Sequence, residues 1–478
     1  MQKKTKIIVT VGPSSSDIST IKKMIEAGAN VIRLNFSHGT HDDHLRALKA
    51  IRQIEKETGL PVAVMQDIQG PKIRLGILPS AGVHIKEGEK IVINTALTQM
   101  VGGEIPLVYP GLEKFIKSGH HILIDDGHAE VKVKSVKGTR ITCEVMDSHI
   151  LRSNKGLNFP DSHLEISVLS QKDKEDLLWG VQMNVDMVAI SFVHTANEIK
   201  QIRKLIARYE KTLKIKPPKP MFIVTKIERN GALRNIDEIL HETDGVMVAR
   251  GDLAMETNMA GIPLLQKMII DKAVSLTKPV IVATQMLDSM QNSRRPTRAE
   301  ISDVANAVID NADALMLSGE TAVGKFPVET VKTMSDIIIA TEESSKSESH
   351  HLSEFFTHKS VSRAIAGMSG ALALQIGAKA IFVASATGRT GRLVSHVRPT
   401  LPVYAAVESD RALHELCLSW GIKPFLLTNQ TSVEGLISSF LNYIKNNKVA
   451  AKGDHIVIIT GEPVGKPGST NLIEVRQV

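Results

Sequence analysis

The chain has 478 residues, which is too long for one hydrophobic core, so we expect about two to four domains. Its 42% apolar and 23% charged residues are ordinary for a globular protein, and no apolar run approaches the roughly 20 residues that cross a bilayer. The net charge is +7, but the basic residues are dispersed and aromatic residues make up only 4%, which argues against nucleic-acid binding and favours attraction of anionic metabolites.

The N-terminus and the cysteines predict a cytoplasmic location. Three lysines open the chain, but the apolar stretch behind them, residues 7–11, is too short for an export signal and indicates a strand. Cys143 and Cys417 lie far apart and suit a reducing compartment without structural disulfides.

Eight apolar, strand-like runs alternate with amphipathic segments such as 17–29 and 302–312. The runs are residues 6–12, 30–36, 61–67, 185–192, 221–228, 245–252, 279–286 and 314–320. Nearly continuous apolar strands separated by helices are typical of a parallel sheet that is covered on both faces. Eight such units predict a (β/α)8 barrel.

Two regions of the chain depart from this alternation of strands and helices. After the third strand, short alternating runs at 90–97, 121–127 and 129–136 predict an inserted small β-barrel cap domain. After a polar linker at 344–351, strands at 379–386, 401–407, 422–427 and 454–460 predict a C-terminal α/β domain. We therefore predict a catalytic barrel at 1–71 and 167–345, a cap at 72–166 and a regulatory domain at 346–478.

Polar residues stand at the end of nearly every barrel strand. Because the carboxyl ends of parallel strands meet at one rim, we expect these side chains to converge there. They are Gly12 and Pro13; Arg33, Asn35, Ser37 and His38; Asp67; Ser191; Lys226 and Glu228; Arg250, Gly251 and Asp252; Thr284 and Gln285; Ser318, Gly319 and Glu320.

Two carboxylates of this set could share a magnesium ion. Mg²⁺ prefers a few carboxylates together with substrate oxygens and water, which fits Glu228 and Asp252. The alternative is that these acids form salt bridges with Lys226 or Arg250.

Cations and a glycine of the same set suit a phosphorylated substrate. Arg33, Arg74 and Lys226 could clamp a phosphoryl group, whose transfer depends on positioning and charge neutralisation. Gly251 has no side chain to block a ligand, so its N–H could bind a carboxylate, although a plain glycine turn is the alternative.

Ten segments, in order from residue 6 to residue 393, resemble the pyruvate kinase family over essentially the whole chain. They are KIIVTVGPSS, VIRLNFSHGTHDDH, DIQGPKIR, IDDG, NKGLNFP, VTKIE, MVARGDL, ATQMLDSM, RRPTRAEISDVANAVIDNADALMLSGETA and TGRTGRL. The resemblance implies Mg²⁺-dependent phosphoryl transfer from phosphoenolpyruvate to ADP, giving pyruvate and ATP, with Mn²⁺ as a possible substitute. It also implies a homotetramer, with 294–300 and the C-terminal domain at the interfaces.

The resemblance also implies a role for each matching residue. Lys226 would stabilise the transferring phosphoryl group, Arg33 would bind the substrate phosphate, and Glu228 with Asp252 would hold Mg²⁺. The substrate carboxylate would be bound by the N–H groups of Gly251 and Asp252 and by the Thr284 hydroxyl. Nucleotide phosphates would contact Asn35, His38, Arg74 and Lys155, with Pro13 near the base or ribose, and enolate protonation would use water held by Ser318 and Glu320.

The loop at 385–392 is the predicted regulatory site. Ser385, Thr387, Gly388, Arg389 and Thr390 stand at the start of a predicted helix, whose N-terminus can hold a phosphate. The resemblance implies an allosteric activator, either a sugar phosphate or a nucleotide monophosphate. The alternative is an ordinary capped helix.

One stretch departs from the family in a way that bears on monovalent cations. In potassium-requiring members of the family, the resemblance implies a cage for the ion made by an asparagine, a serine, an aspartate and a backbone carbonyl. The matching positions in this chain are Asn35, Ser37, Asp67 and Ile68. Those members have TKGPEIRT where this chain has IQGPKIRL, so that Lys72 replaces a glutamate. An ammonium there would supply the charge of potassium and disfavour a second cation. We expect potassium not to be required; the alternative is that Lys72 extends into solvent.

A second departure is Ala254, where the family usually has glycine, and it bears on substrate affinity more than on reaction type. Two other functions stay open on the sequence: another phosphoenolpyruvate-handling barrel enzyme such as a dikinase, and an RNA-binding or scaffolding protein.

Overall fold

A computed structural model describes residues 3–162, 164, 168–344, 360–466, 468 and 470–478. Its centre is a closed barrel of eight parallel strands, which confirms the predicted fold class. The first strand pairs with the second, with Ile8 opposite Val31, and with the eighth, with Lys6 opposite Ala314. The barrel strands are, in chain order, Lys6–Val11, Val31–Asn35, Ala63–Ile68, Met187–Ile190, Phe222–Ile227, Gly245–Ala249, Val280–Ala283 and Ala314–Leu317.

Helices surround the barrel, and some of them begin at a side-chain cap. The predicted segment 302–312 overlaps the later part of the helix Arg298–Ile309 and extends three residues past its end. The helix begins earlier than predicted because Thr297 and Glu300 form a capping box. The α-helices are Ile18–Glu26, His41–Thr58, Gln171–Gln182, Ala196–Thr212, Asn230–Arg234, Ile236–Glu242, Arg250–Glu256, Ile262–Ser275, Arg298–Ile309, Gly319–Ala322 and Pro327–Glu342. Short 3₁₀ turns cover Met259–Gly261 and Asp288–Gln291. Among the described residues, no helix combines the length and apolarity that crossing a membrane requires.

The inserted segment forms a six-stranded and a two-stranded sheet of its own. Ile93, Ile122, Val131 and Ile141 are fully buried in a separate hydrophobic cluster there. Its strands are Val83–Ile85, Lys90–Asn94, Ile105–Pro106, His121–Ile124, Ala129–Lys137, Arg140–Val145, His149–Leu151 and Leu157–Asn158, with a 3₁₀ turn at Leu112–Phe115.

The C-terminal part is a five-stranded sheet flanked by helices. Its strands are Ala380–Ala384, Val403–Val407, Ile422–Leu426, His455–Gly461 and Thr470–Gln477, and its helices are Val361–Gln375, Arg389–His396, Asp410–Leu416 and Val433–Asn447. The strand Thr470–Gln477 was not predicted, because it is a half-exposed antiparallel edge strand with a mixed polar sequence.

The predicted domain boundaries at 166/167 and 345/346, and most of the predicted linker 344–351, lie outside the described residues. The boundary at 71/72 stays a prediction.

The C-terminal domain closes the amino-terminal end of the barrel. Cys417 and Leu418 are buried in the same cluster as the inward-facing barrel residues Ile8, Met65 and Met316. Lys6, at the start of the first strand, donates through Nζ to the Ile422 carbonyl at 2.7 Å. The C-terminal domain therefore covers the amino-terminal end of the barrel, and the open rim lies at the carboxyl-terminal end.

Candidate active site

The centre of the rim is a buried ion network between the third and fifth strands. The ammonium of Lys226 lies 2.8 Å from Glu228 Oε1 and 3.5 Å from Asp67 Oδ1. The other oxygen of Asp67 accepts from Arg33 Nε at 2.6 Å. Arg33 also donates through Nη1 to Thr10 Oγ1 at 3.0 Å. Two cations and two acids thus lie side by side, as the sequence predicted for the strand ends.

Burial and pairing pull the pKa values of this network in opposite directions. Burial acts to lower the pKa of Lys226, but Asp67 and Glu228 outweigh it and hold that pKa above its ordinary value. Burial acts to raise the pKa of Asp67, but Lys226 and Arg33 outweigh it, so that this pKa is lowered. Lys226 is therefore charged and Asp67 ionised at neutral pH.

Glu228 differs from Asp67 because less charge compensates it. Burial and the nearby carboxylate of Asp252 raise the Glu228 pKa against the opposing effect of Lys226. The Phe192 N–H donates to its Oε2 at 2.7 Å. A further cation would relieve the repulsion between Glu228 and Asp252, so these residues fit a divalent metal.

The number of carboxylates at this site also suits magnesium. Among the described residues no group of three or more His, Cys, Asp or Glu side chains is arranged to hold a metal ion. Two carboxylates completed by substrate oxygens and water are the usual protein contribution to a Mg²⁺ site, whereas dedicated all-protein cages are uncommon for this ion.

The sixth and seventh strands carry the predicted carboxylate-binding groups. The predicted strand 245–252 ends at Ala249, and Arg250, Gly251 and Asp252 instead form the first turn of the helix Arg250–Glu256. N–H groups at a helix start suit an anion. The Gly251 N–H donates to Thr284 Oγ1 at 2.9 Å, so in this structure the two predicted carboxylate-binding groups contact each other. Thr284 has φ +74°, and such conformations cost about 1–3 kcal/mol and cluster at functional sites.

Arg250 has a structural role. It donates to Asp303 Oδ1 at 2.8 Å and to the Thr284 carbonyl at 2.7 Å. Asp303 therefore neutralises Arg250. Of the two salt bridges considered as the alternative to a metal site, the one from Lys226 to Glu228 is present at 2.8 Å, whereas none from Arg250 to Glu228 or Asp252 is found in the described part of the chain. Arg250 instead holds the strained Thr284 turn against the helix that carries Gly251.

Glu320 is buried beside the eighth strand. Its Oε2 accepts from the Ser318 N–H at 2.7 Å and its Oε1 from the Leu287 N–H at 3.2 Å. Burial raises the pKa of this carboxyl. Ser318 and Glu320 are thus in contact, and their role in enolate protonation stays a prediction.

Ser191 links several of these groups, although the sequence indicated only a polar strand end. Its hydroxyl accepts from Lys226 Nζ at 2.9 Å and donates to the Ile68 carbonyl at 2.8 Å. A serine directly after a buried strand was the only signal available. The contact that defines its role joins residues on different strands.

The residues predicted for a monovalent ion are only partly together. Asn35 Oδ1 accepts from the Ser37 N–H at 3.1 Å, while Asp67 and Ile68 are engaged as described. Lys72 is exposed, and its Cε lies 3.0 Å from where a Cβ on Gly156 would be. No hydrogen bond or ion pair joins Lys72 to the other cage residues in the described part of the chain.

The predicted nucleotide-binding residues fall into two groups. Pro13 follows the first strand and His38 follows Asn35 of the second strand, and both are exposed. Arg74 donates to the Asn154 carbonyl at 2.9 Å, and Lys155 pairs with Asp125 at 2.7 Å, so both engage cap residues.

The predicted regulatory loop lines a cavity in the C-terminal domain. Ser385 Oγ accepts from the Thr390 N–H at 3.1 Å, and Gly388 has φ +78° just before the helix Arg389–His396. Thr387 and Arg389 line the cavity, whose far wall includes Lys466. Ser385 thus satisfies one N–H in the first turn of the helix, while Thr387 and Arg389 line the adjoining cavity.

Comparisons with known proteins agree over the full length. Two family models match, "Pyruvate kinase, barrel domain" over residues 2–331 and "Pyruvate kinase, alpha/beta domain" over residues 363–476. Pyruvate kinase of Geobacillus stearothermophilus is 38% identical over 483 residues, covering 100% of this chain and 81% of the relative. Pyruvate kinase of Mycobacterium tuberculosis is 38% identical, covering 100% and 99%.

A solved structure gives the same result in three dimensions. A pyruvate kinase from Cryptosporidium parvum superposes with a TM-score of 0.93 at 34% sequence identity, covering 100% of this chain and 96% of that one. With its barrel, its C-terminal domain and its rim of paired charges, this chain belongs to the pyruvate kinase family and is a phosphotransferase.

Proposed function

We propose that this enzyme transfers the phosphoryl group of phosphoenolpyruvate to ADP, yielding pyruvate and ATP, with Mg²⁺ and without a requirement for potassium. The observation that carries the proposal is the buried network of Lys226, Asp67, Arg33 and Glu228. Phosphoryl transfer needs fixed positive charge around the moving group, and this network fixes two cations at one place.

The substrate is bound at two ends. Arg33 and Lys226 face its phosphoryl group, and Lys226 stabilises the charge that spreads over that group during transfer. The N–H groups of Gly251 and Asp252, with the Thr284 hydroxyl, bind its carboxylate. The helix-start position of Gly251 and Asp252 supports this assignment.

Glu228 and Asp252 hold the Mg²⁺, for which Mn²⁺ substitutes. The ion supplies neutralising charge to the phosphoryl and enolate oxygens when it is bound. Ser318 and Glu320 order the water that protonates the enolate carbon. The raised Glu320 pKa supports this role, because the group takes up a proton more readily than an exposed glutamate.

ADP lies along Asn35, His38, Arg74 and Lys155, with Pro13 near the base or ribose. Because Arg74 and Lys155 contact cap residues here, binding of ADP exchanges those contacts for contacts to phosphate. Lys72 replaces the monovalent cation.

Regulation acts through the C-terminal domain. A sugar phosphate or nucleotide monophosphate binds at Ser385, Thr387, Gly388, Arg389 and Thr390 and activates the enzyme. The enzyme acts as a homotetramer in the cytoplasm, and the two cysteines, free and buried, support a reducing compartment. Sedimentation at assay concentration tests the assembly, and a purely monomeric species would contradict it.

A coupled assay for pyruvate, with ADP, phosphoenolpyruvate and Mg²⁺, tests the reaction. Pyruvate formation that depends strictly on ADP supports the proposal. Formation that requires AMP and phosphate or pyrophosphate instead would indicate a dikinase. Absence of any phosphoenolpyruvate-dependent turnover would favour a non-enzymatic role.

A further inference from the structure

One oxygen of Glu228 is fixed by the main chain. The Phe192 N–H donates to Glu228 Oε2 at 2.7 Å, and Glu228 is only 1% exposed. Because the donor is a backbone group, its direction depends on the backbone conformation of Phe192. The orientation of this carboxylate is therefore linked to a residue on a different strand end.

Phe192 has an unusual conformation that its surroundings must hold. Its φ is +58°, a left-handed value that bulky residues rarely adopt. On one side the ring packs against Gly70, where an added Cβ would lie 2.9 Å from Phe192 Cδ2. The guanidinium carbon of Arg229 also lies over the ring, 4.7 Å from its centroid.

Arg229 is itself fixed in place. It is 9% exposed, and its Nη1 lies 2.8 Å from His194 Nε2. A guanidinium can only donate, so Nε2 is the acceptor of this hydrogen bond. Gly231 allows this ring to approach, because a Cβ there would lie 2.7 Å from His194 Nδ1.

We infer that Arg229 and Phe192 are positioning residues for the metal-binding carboxylate of Glu228. The Arg229 guanidinium holds the Phe192 ring, the ring holds the left-handed backbone, and the backbone N–H orients Glu228. This inference rests on the proposed function, in which Glu228 holds Mg²⁺. Partners that orient a metal ligand without touching the metal set metal affinity through such contacts.

A different role for Arg229 is purely electrostatic. Its charge favours the ionised form of Glu256, on the helix that carries Asp252. Removal of the charge alone would then weaken the site, whatever happens to the Phe192 ring. Arg234 offers a matched control, because it is an exposed arginine that lines the same cavity between barrel and cap.

The test measures Mn²⁺ binding to the full-length enzyme without substrates. Electron paramagnetic resonance gives the concentration of free Mn²⁺, from which the Kd is obtained. Arg229→Met and Phe192→Leu are each expected to raise the Mn²⁺ Kd by about tenfold. The double variant is expected to match the single variants, since both remove one chain of contacts. Arg234→Met is expected to leave the Kd within about twofold, and calorimetry of each variant without metal checks its fold.

Three outcomes would overturn the inference. They are an unchanged Kd in either of the two folded single variants, multiplication of the two effects in the double variant, and an equal loss in Arg234→Met. If Arg229→Met does not fold, Phe192→Leu alone decides, because it keeps every charge. Glu228→Gln separates this inference from the proposed function. If that variant keeps the Mn²⁺ affinity of the unmodified enzyme, the metal assignment itself fails. If it abolishes binding while Arg229→Met does not weaken it, only the positioning role fails.

Discussion

Asp67 faces Lys226 across 3.5 Å with one carboxylate oxygen while its other oxygen is held by Arg33. The acid thus fixes both cations relative to each other. An ammonium held in this way needs no reorganisation when charge develops on a phosphoryl group, which is the condition for strong electrostatic catalysis.

Replacement of Lys226 by methionine is expected to lower kcat by about 10³-fold or more, because one preorganised charge is removed from the transition state. The coupled pyruvate assay measures the loss, and thermal unfolding checks the fold. Lys200→Met, on the outer helix Ala196–Thr212, is the control and is expected to keep full activity. Retention of most of kcat by a folded Lys226→Met enzyme would remove this residue from its role.

The unmodified enzyme is expected to be fully active with Mg²⁺ in a buffer free of potassium and sodium. Lys72→Glu is expected to lose that activity and to recover part of it on addition of potassium, since the glutamate removes a fixed positive charge and restores a cation-binding one. Lys86→Glu, an exposed lysine elsewhere on the cap, controls for charge reversal. Strong potassium stimulation of the unmodified enzyme would show that Lys72 does not replace the ion.

A panel of sugar phosphates and nucleotide monophosphates is expected to contain a compound that shifts phosphoenolpyruvate saturation to lower concentration. Arg389→Met is expected to abolish this shift while leaving the unactivated kcat unchanged, because Arg389 lies in the C-terminal cavity, outside the catalytic rim. Lys379→Met, also exposed in that domain, should respond like the unmodified enzyme. A panel without any effect would contradict the regulatory assignment.

The barrel and the C-terminal domain are joined by a pH-dependent contact. His414 Nε2 lies 2.6 Å from Glu55 and Nδ1 lies 2.8 Å from Asp186, which Arg52 also contacts. Burial acts to lower the His414 pKa, but Asp186 and Glu55 outweigh it and raise this pKa to about 9. Because the folded pKa lies above the unfolded one, the contact stabilises the fold fully below about pH 6.5 and loses its effect as pH rises through 9.

His414→Gln is therefore expected to destabilise the enzyme most at pH 6, and the difference is expected to shrink by about 3 kcal/mol towards pH 10. Calorimetric unfolding across this range measures it. His455→Gln, an exposed histidine of the same domain, should show no such trend. A destabilisation by His414→Gln that does not change with pH would argue against a charged His414.

Much of the fold could be predicted because barrel strands are buried on both faces and appear as unbroken apolar runs. Errors arose where the chain turns at once into a helix, so that Arg250 to Asp252 were assigned to a strand. The strand ends predicted the rim, but the left-handed Phe192 and the contact of Ser191 with Lys226 depend on side chains from separate strands. No local pattern encodes contacts of that kind.

Cys417 and Leu418 close the amino-terminal end of the barrel, and this has a consequence for folding during protein synthesis. A growing chain completes its eighth strand at Leu317, about a hundred residues before the side chains that seal the barrel interior. We expect that a barrel which folds before the C-terminal domain is synthesised exposes the apolar residues of its amino-terminal end to water. Chaperones are thus expected to bind at that end. A fragment that stops after the last barrel helix would keep this apolar surface exposed and is expected to aggregate.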